Sequence, residues 1–364
     1  MRIVVAMSGG VDSSVAAALV ADEGHDVIGL SMQLYDASGP SESSGGRSFG
    51  SCCSIDDLHD ARRVAAAIGI PHYILNFERE FEARVISNFV GEYTAGRTPL
   101  PCAHCNSDLK FSTLAERARG FGADEVATGH YARVTRDPAT GRHLLKRAID
   151  ASKDQTYFLF SLTQEQLACA RFPVGDRPKD AVREYARQRG LPVADKPDSQ
   201  EICFIPDHDY KSFVERESPD AARDGAFVSE TGDVLGRHEG IHRFTIGQRK
   251  GLDLAHSRAT SSGAPMYVLA LNATTREVVV GPKASLERTT LTASGVNWIV
   301  ERPAATVRAD VQIRHRHEAA PASVRALDDG RAEVVFDAPQ IAITPGQAVV
   351  FYEGDTVLGG GWID

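Results

Sequence analysis

Ser8-Gly9-Gly10-Val11-Asp12-Ser13 is the string in this chain with the most specific chemistry. It follows an apolar run at 3–7 and precedes a helix-like stretch at 14–21, so it reads as a strand turning through glycine into a helix N-terminus. Such a turn is an anion site. The first helical N–H groups have no partner inside the helix, and the helix dipole adds positive potential. Gly9 and Gly10 let the backbone approach phosphate oxygens, and Ser8 and Ser13 add hydroxyl donors. There is no Gly-Lys-Ser/Thr ending, so this is not the common phosphate loop, and it is not Gly-x-Gly-x-x-Gly either. An acid, Asp12, stands inside the cradle, which makes sense when a hard cation such as Mg²⁺ lies between it and the phosphates. The plain alternative is a strand-to-helix turn rich in small residues.

The thiols are the second chemical feature. Cys102 and Cys105 lie in Pro101-Cys102-Ala103-His104-Cys105-Asn106, just before a helix expected to start near Ser107. A cysteine at a helix N-terminus has a stabilised thiolate, which makes Cys105 a candidate nucleophile. Three other readings stay open: half of a zinc site completed by Cys52-Cys53 or His104, a redox pair, or inert buried thiols. Cys203, among apolar neighbours, reads as a buried thiol unless the fold brings it to Cys105, and Cys169 reads as core. His130 follows Gly129 at the expected ligand edge. His315 and His317 alternate with Arg314 and Arg316, which on a strand is a solvated face.

The elements that must position these groups alternate strand and helix through the first half: strands at 3–7, 27–34, 72–77 and 125–128, helices at 14–21, 56–68, 80–95 and 107–119. This order predicts a parallel sheet with helices on both faces and ligands beyond the carboxyl ends of the strands. A hairpin is expected at 133–147, and helical patterns run on to about 189. From about Asp207 the chain turns to Gly-rich turns and short β-like runs. After Pro282 the pattern is all β, consistent with a small barrel. The expected division is 1–207, 208–284 and 285–364. With 364 residues the chain can hold several cores. The N-terminal apolar run is too short for a signal or membrane segment, so a cytoplasmic protein is expected. Net charge is −9, which argues mildly against nucleic acid, yet 236–251 holds four basic residues and one acid.

The glycine string resembles the loop of the N-type ATP pyrophosphatases, which cleave ATP between the α and β phosphates. Further pieces extend that likeness along the chain: Asp60-Ala61-Arg62-Arg63-Val64-Ala65, Gly96-Arg97-Thr98-Pro99, Cys105-Asn106, Ala127-Thr128-Gly129-His130-Tyr131, Ser152-Lys153-Asp154-Gln155, 198–205, 244–251, Arg314-His315-Arg316 and Thr344-Pro345-Gly346-Gln347. As an ordered set they resemble the tRNA-specific 2-thiouridylases.

The resemblance implies an ATP-pyrophosphatase (adenine nucleotide α-hydrolase-like) domain, a small central mixed β domain and a C-terminal β-barrel. It implies ATP held by Ala6, Met7, Ser8, Gly9, Gly10, Val11, Asp12, Ser13, Met32 and Gly129, with Mg²⁺ at Asp12. The enzyme would adenylate the 2-oxygen of a wobble uridine and release pyrophosphate. Cys203 would carry persulfide sulfur from a relay protein. Cys105 would be the partner nucleophile, able to form a transient disulfide with it, and AMP departs. Leu100, Pro101 and Cys102 would lie against the target base. His130, Lys153, Asp154, Gln155, Arg314, His315 and Gln347 would touch tRNA, which reverses the solvated-face reading of His315. Leu100 replaces a common asparagine, and Cys102 stands where some members have aspartate. A third thiol opens the possibility of an iron–sulfur cluster on Cys102, Cys105 and Cys203. The expected state is a monomer. The rival functions are an ATP pyrophosphatase acting on a small molecule and a zinc-stabilised RNA-binding module.

Overall fold

The computed structural model describes residues 1–34, 55–198, 202–205, 209–252, 254 and 265–364. The Ser/Gly-rich stretch at 36–50, Cys52-Cys53 and the 207/208 boundary lie outside the described residues. The chain forms two compact units that do not follow chain order. Unit one takes Met1–Val85, Pro101–His208 and Asp355–Leu358; unit two takes Ile86–Leu100, Asp209–Gly354 and Gly359–Asp364.

Unit one is built on a parallel sheet. Its strands are β1 (Arg2–Ala6), β2 (Asp26–Gln33), β3 (His72–Asn76), β4 (Glu125–Ala127) and β7 (Ala170–Arg171), in the order β3-β2-β1-β4-β7. Every neighbouring pair is parallel. β1 and β2 are near-continuous apolar runs because both faces are covered. The helix after β1, α1 (Val11–Asp22), is made of small and apolar residues, nine of them buried. That all-round burial follows from its place between α2 (Ile55–Ile68) and α8 (Lys179–Gln188). α2 turns Ala61, Val64 and Ala65 inward, and α8 turns Val182 and Ala186 inward with Lys179 on the same face. The hairpin is β5 (Ala132–Arg136) and β6 (His143–Arg147). Asp355 in the same unit accepts from Arg133 and Lys146.

Unit two holds a four-stranded sheet and a barrel. The sheet runs β10 (Tyr267–Asn272), β11 (Glu277–Gly281), β8 (Gly225–Val228), β9 (Val234–His238), with β8 and β11 parallel. The barrel strands are β12 (Glu287–Trp298), β13 (Val307–Gln312), β14 (Ala320–Ala326), β15 (Ala332–Ile341), β16 (Ala348–Glu353) and β17 (Thr356–Ile363, of which the part from Gly359 belongs to unit two), in the order β12-β15-β14-β13-β16-β17. β12 pairs with the Gly359–Ile363 end of β17, which closes the ring and removes its edges. Two helices stack here on aromatic rings: Tyr93 of α4 (Ser87–Thr94) lies 4.7 Å from Tyr210 of α9 (Tyr210–Glu217).

The α/β fold and the closing β-barrel agree with the sequence expectation. Several elements differ. The long β12 and β17 and the helix α9 went unforeseen. The residues Arg314 to His317 form a turn, not a strand, with Arg316 at φ 62°, so the alternation argument for His315 and His317 does not apply. No helix among the described residues is long and apolar enough to cross a membrane.

His72, His130, His238 and His317 sit where burial pushes the imidazole below its ordinary value, with nearby arginine or lysine charge adding to this at all but His238. The unfolded chain therefore binds these protons first, and stability falls as pH drops through about 6.5. Lowered aspartates act only below about pH 4. Thermal melts should show a midpoint that declines from pH 7.5 to 5.5; a midpoint that rises over that range would contradict the assignment.

Candidate active site

The glycine turn lies where the sequence put it. Gly10 is the N-cap of α1, extended at φ −90° and ψ 164°, and no side chain caps the helix. The leading N–H groups are thus left for a ligand. The loop is braced from within: the Ser13 hydroxyl accepts from the Ser8 N–H at 3.2 Å and donates to the Gly10 carbonyl at 3.1 Å, while Ser14 donates to that carbonyl at 2.8 Å.

Two close approaches demand glycine. Gly9 has φ +74°, and a Cβ on it would lie 2.2 Å from the Asp57 carbonyl oxygen. A Cβ on Gly129 would lie 2.4 Å from the Ser13 nitrogen. The loop after β4 therefore rests directly on the first turn of α1. Lys196 fastens the other side, donating to the Gly9 carbonyl at 3.1 Å, to Asp57 at 2.5 Å and to Asp60 at 2.7 Å.

Asp12 is half-buried and paired. Lys179 Nζ lies 2.8 Å from each of its oxygens, and the Tyr131 hydroxyl donates to Oδ1 at 2.9 Å. The same ammonium is 2.8 Å from Asp198 Oδ1. Asp198 also accepts from Lys153 at 2.8 Å and from Arg183 at 2.6 Å. Burial raises the Asp198 pKa, but the bonds and charges of Lys153 and Lys179 outweigh it and hold the carboxyl down to about 2. Burial, then the charge of Asp12, pushes the Tyr131 phenol far above its ordinary value, so it stays a donor. Both Asp12 oxygens are thus paired within the protein, Oδ1 with Lys179 and Tyr131 and Oδ2 with Lys179.

The thiol helix begins earlier than its sequence suggests. α5 (Pro101–His104) leads straight into a π-wound run, Cys105–Thr113, and then α6 (Leu114–Gly120). Proline at the first position suits a helix start. Cys102, which is exposed, thus occupies the first turn, and the half-buried Cys105 lies one turn further in. Side chains satisfy carbonyls of the π run: Arg84 donates to Asp108 O at 2.7 Å and Gln166 to Ser107 O at 2.8 Å. Such winding is rare and often marks functional sites. Phe204, beside Cys203, meets Phe81 edge-on at 5.5 Å, and the helix α3 (Glu78–Phe81) packs against the π run that Cys105 opens. Cys203 is half-buried. Among the described residues no three His, Cys, Asp or Glu side chains gather as metal ligands.

Other expected site residues have definite surroundings. Met32 and Leu100 are buried. His130 Nδ1 lies 2.7 Å from the Thr128 hydroxyl, with its ring beside Phe111 and Phe172. Asp154 accepts from Arg147 and from Thr156, and the Gln155 side chain accepts from the Tyr131 N–H. In unit two a cavity of about 410 Å³ is lined by Thr98, Tyr267, Lys283, Arg314 and Gln347 among others. Gln347 donates to the Thr98 and Pro99 carbonyls, each at 3.1 Å. In the basic stretch, Arg243 is neutralised by Glu215 and Glu239, while Arg249 and Lys250 are exposed.

Sequence reasoning missed Lys179, Lys196, Arg183 and Tyr131. Lys179 carried one usable signal. It follows Pro178 at the first position of a helix, where the dipole disfavours a cation unless an anion holds it. The Gly9→Ala and Gly129→Ala variants should each lose about 1–3 kcal/mol of stability and weaken nucleotide binding, because backbone must move. Urea unfolding and ATP titration check this; wild-type values for both variants would remove the close-approach argument.

Three domain models match the chain in order: "tRNA methyl transferase HUP domain" over residues 1–207, "tRNA methyl transferase PRC-barrel domain" over 211–282, and "Aminomethyltransferase beta-barrel domain" over 288–363. Full-length relatives carry a different name. The tRNA-specific 2-thiouridylase MnmA of Geotalea uraniireducens is 52% identical over 363 residues, covering 100% of this chain and 95% of that one. Its namesake in Geobacter metallireducens is 53% identical over 363 residues, covering 100% and 96%. That of Clostridioides difficile is 45% identical over 367 residues, covering 100% and 98%. Among solved structures, a 4-thiouridine synthetase–RNA complex with bound ATP is 16% identical over 60% of this chain and 50% of that chain. The TM-score for that pair is 0.34. By the identity and the coverage of its full-length relatives, the chain belongs to the tRNA-specific 2-thiouridylase family.

Proposed function

We propose that this chain uses ATP to replace the 2-oxygen of a tRNA wobble uridine with sulfur. The observation that carries the reading is the uncapped, glycine-built N-terminus of α1 in a chain that matches 2-thiouridylases from end to end. ATP binds over Ala6–Ser13, with Met32 and Gly129 beside the adenosine. The uridine O2 attacks the α-phosphorus, the α–β bridge breaks, and pyrophosphate leaves with the electron pair. Adenylation turns a poor leaving group into a good one. The helix N–H groups stabilise the departing charge.

Sulfur reaches Cys203 as a persulfide from a relay protein. The Cys105 thiolate attacks the inner sulfur of that persulfide and forms a disulfide with Cys203. The outer sulfur is released as hydrosulfide, attacks C2 and expels AMP. An external thiol then reduces the disulfide. The wobble base lies in a single-stranded loop, so it can be splayed into the site. Leu100, Pro101, Cys102, His130, Lys153, Asp154, Gln155, Arg314, His315 and Gln347 are the proposed tRNA contacts. The setting is the cytosol and the acting species a monomer. Mg²⁺ enters with ATP, and no step is routed through an iron–sulfur cluster.

The test is AMP formation and thiolated nucleoside from unmodified tRNA, ATP and a persulfide donor. Cys105→Ser and Cys203→Ser should each cut thiolation by about 10²-fold or more, while ATP still binds. Normal thiolation by Cys203→Ser would overturn the persulfide route. AMP formed without tRNA on a small amine would favour the small-molecule alternative. Iron measured on anaerobically purified protein checks the third thiol: stoichiometric iron lost in Cys102→Ser would replace the persulfide step with cluster chemistry.

A further inference from the structure

We infer that Gln347 is a positioning residue for the thiol helix: its side-chain amide pins the linker at 98–99, from which the chain enters α5. The inference rests on the thiolation reading above and adds to the tRNA contact proposed there. The Gln347 Nε2 group carries two N–H donors. It meets two backbone carbonyls, those of Thr98 and Pro99, each at 3.1 Å. Pro99 is buried, so its carbonyl depends on a partner within the protein.

The same linker is held from other directions. The Thr98 N–H donates to the Pro345 carbonyl at 2.9 Å. Gly346, between Pro345 and Gln347, has φ +87°, and a Cβ on it would lie 2.9 Å from the Thr98 carbonyl oxygen. Arg97 donates to Glu92 at 2.7 Å and to the Ile363 carbonyl at 3.2 Å. The linker is also stiff along its own length. Pro99 and Pro101 have fixed φ, and Thr98 and Leu100 each precede a proline, which holds them extended. Few torsions between Thr98 and Pro101 are left free. Whatever fixes the Thr98 and Pro99 carbonyls therefore fixes the direction from which α5 starts. Cys102 is the second residue of that helix, and Cys105 lies one turn on. In this role Gln347 touches neither nucleotide nor sulfur; it acts through the backbone. Without its donors the linker opens locally, the first turn of α5 frays, and the half-buried Cys105 becomes accessible.

The test compares the full chain with Gln347→Met and Gln347→Glu. Methionine keeps the volume without a donor; glutamate keeps the shape and an acceptor for tRNA but has no N–H. Iodoacetamide alkylation is followed by mass spectrometry with neither ATP nor tRNA present. Residues 98–110 form one tryptic peptide that holds Cys102 and Cys105, and fragmentation separates the two. The half-buried Cys169 is the internal reference. In both variants Cys105 should react about fivefold faster or more, the factor one lost hydrogen bond contributes to local opening, while Cys169 stays within about twofold of wild type. The kcat for thiolation should fall about tenfold. Cys105 reacting at the wild-type rate in either variant would overturn the inference, whatever happens to the KM for tRNA. A raised KM with unchanged kcat would leave Gln347 a tRNA contact alone and overturn it as well. Equal acceleration of Cys105 and Cys169 would be general loosening of the fold, with the same consequence. The alkylation needs no substrate, so a wild-type enzyme that fails to thiolate would refute the reaction without deciding the role of Gln347.

Discussion

Everything in the nucleotide half depends on backbone meeting backbone at the start of α1. Gly9 lies against the Asp57 carbonyl and Gly129 against the Ser13 nitrogen, at separations that admit no side chain. These two contacts fix the loop from opposite sides. They orient the first helical N–H groups and leave Ser8 and Ser13 to brace the turn from within. Lys196 adds a charged strut to the Gly9 carbonyl. A cradle made this way is rigid before any ligand arrives, so its dipoles need little reorganisation.

The parallel sheet was legible because its strands are buried on both faces and its helices carry stops at Gly24 and Gly69. The glycine turn was legible because its residue types leave few other uses. The charge cluster was not, since it joins Asp12, Lys153, Lys179 and Asp198 from four separate segments, and no local spacing encodes such a meeting. Gly129 was marked for its place at the strand edge, yet its contact with Ser13 supplies a packing reason that only coordinates give. The start of the thiol helix was misplaced because the Pro101-Cys102 pair looked like a loop, whereas proline there opens the helix. In the barrel, β12 was missed because most of its residues are polar and only Leu291 and Ala293 are buried.

The two units use charge differently. In unit one Lys179 is buried, Lys153, Arg183 and Lys196 are half-buried, and all four are paired with carboxylates, which holds side chains in register. In unit two Arg249 and Lys250 are exposed, and Arg314 and Lys283 line an open cavity. Exposed basic groups of that kind give attraction that weakens with salt, whereas buried pairs keep their geometry. The chain's overall negative charge thus coexists with local surfaces suited to a polyanion.

The π winding that begins at Cys105 leans on the rest of the fold. The Asp108 and Ser107 carbonyls within it accept from Arg84 and Gln166, two side chains from elsewhere in the chain. The segment that opens with a thiol is thus tied through its own backbone to polar groups distant in sequence, and its winding is not a property of its residues alone.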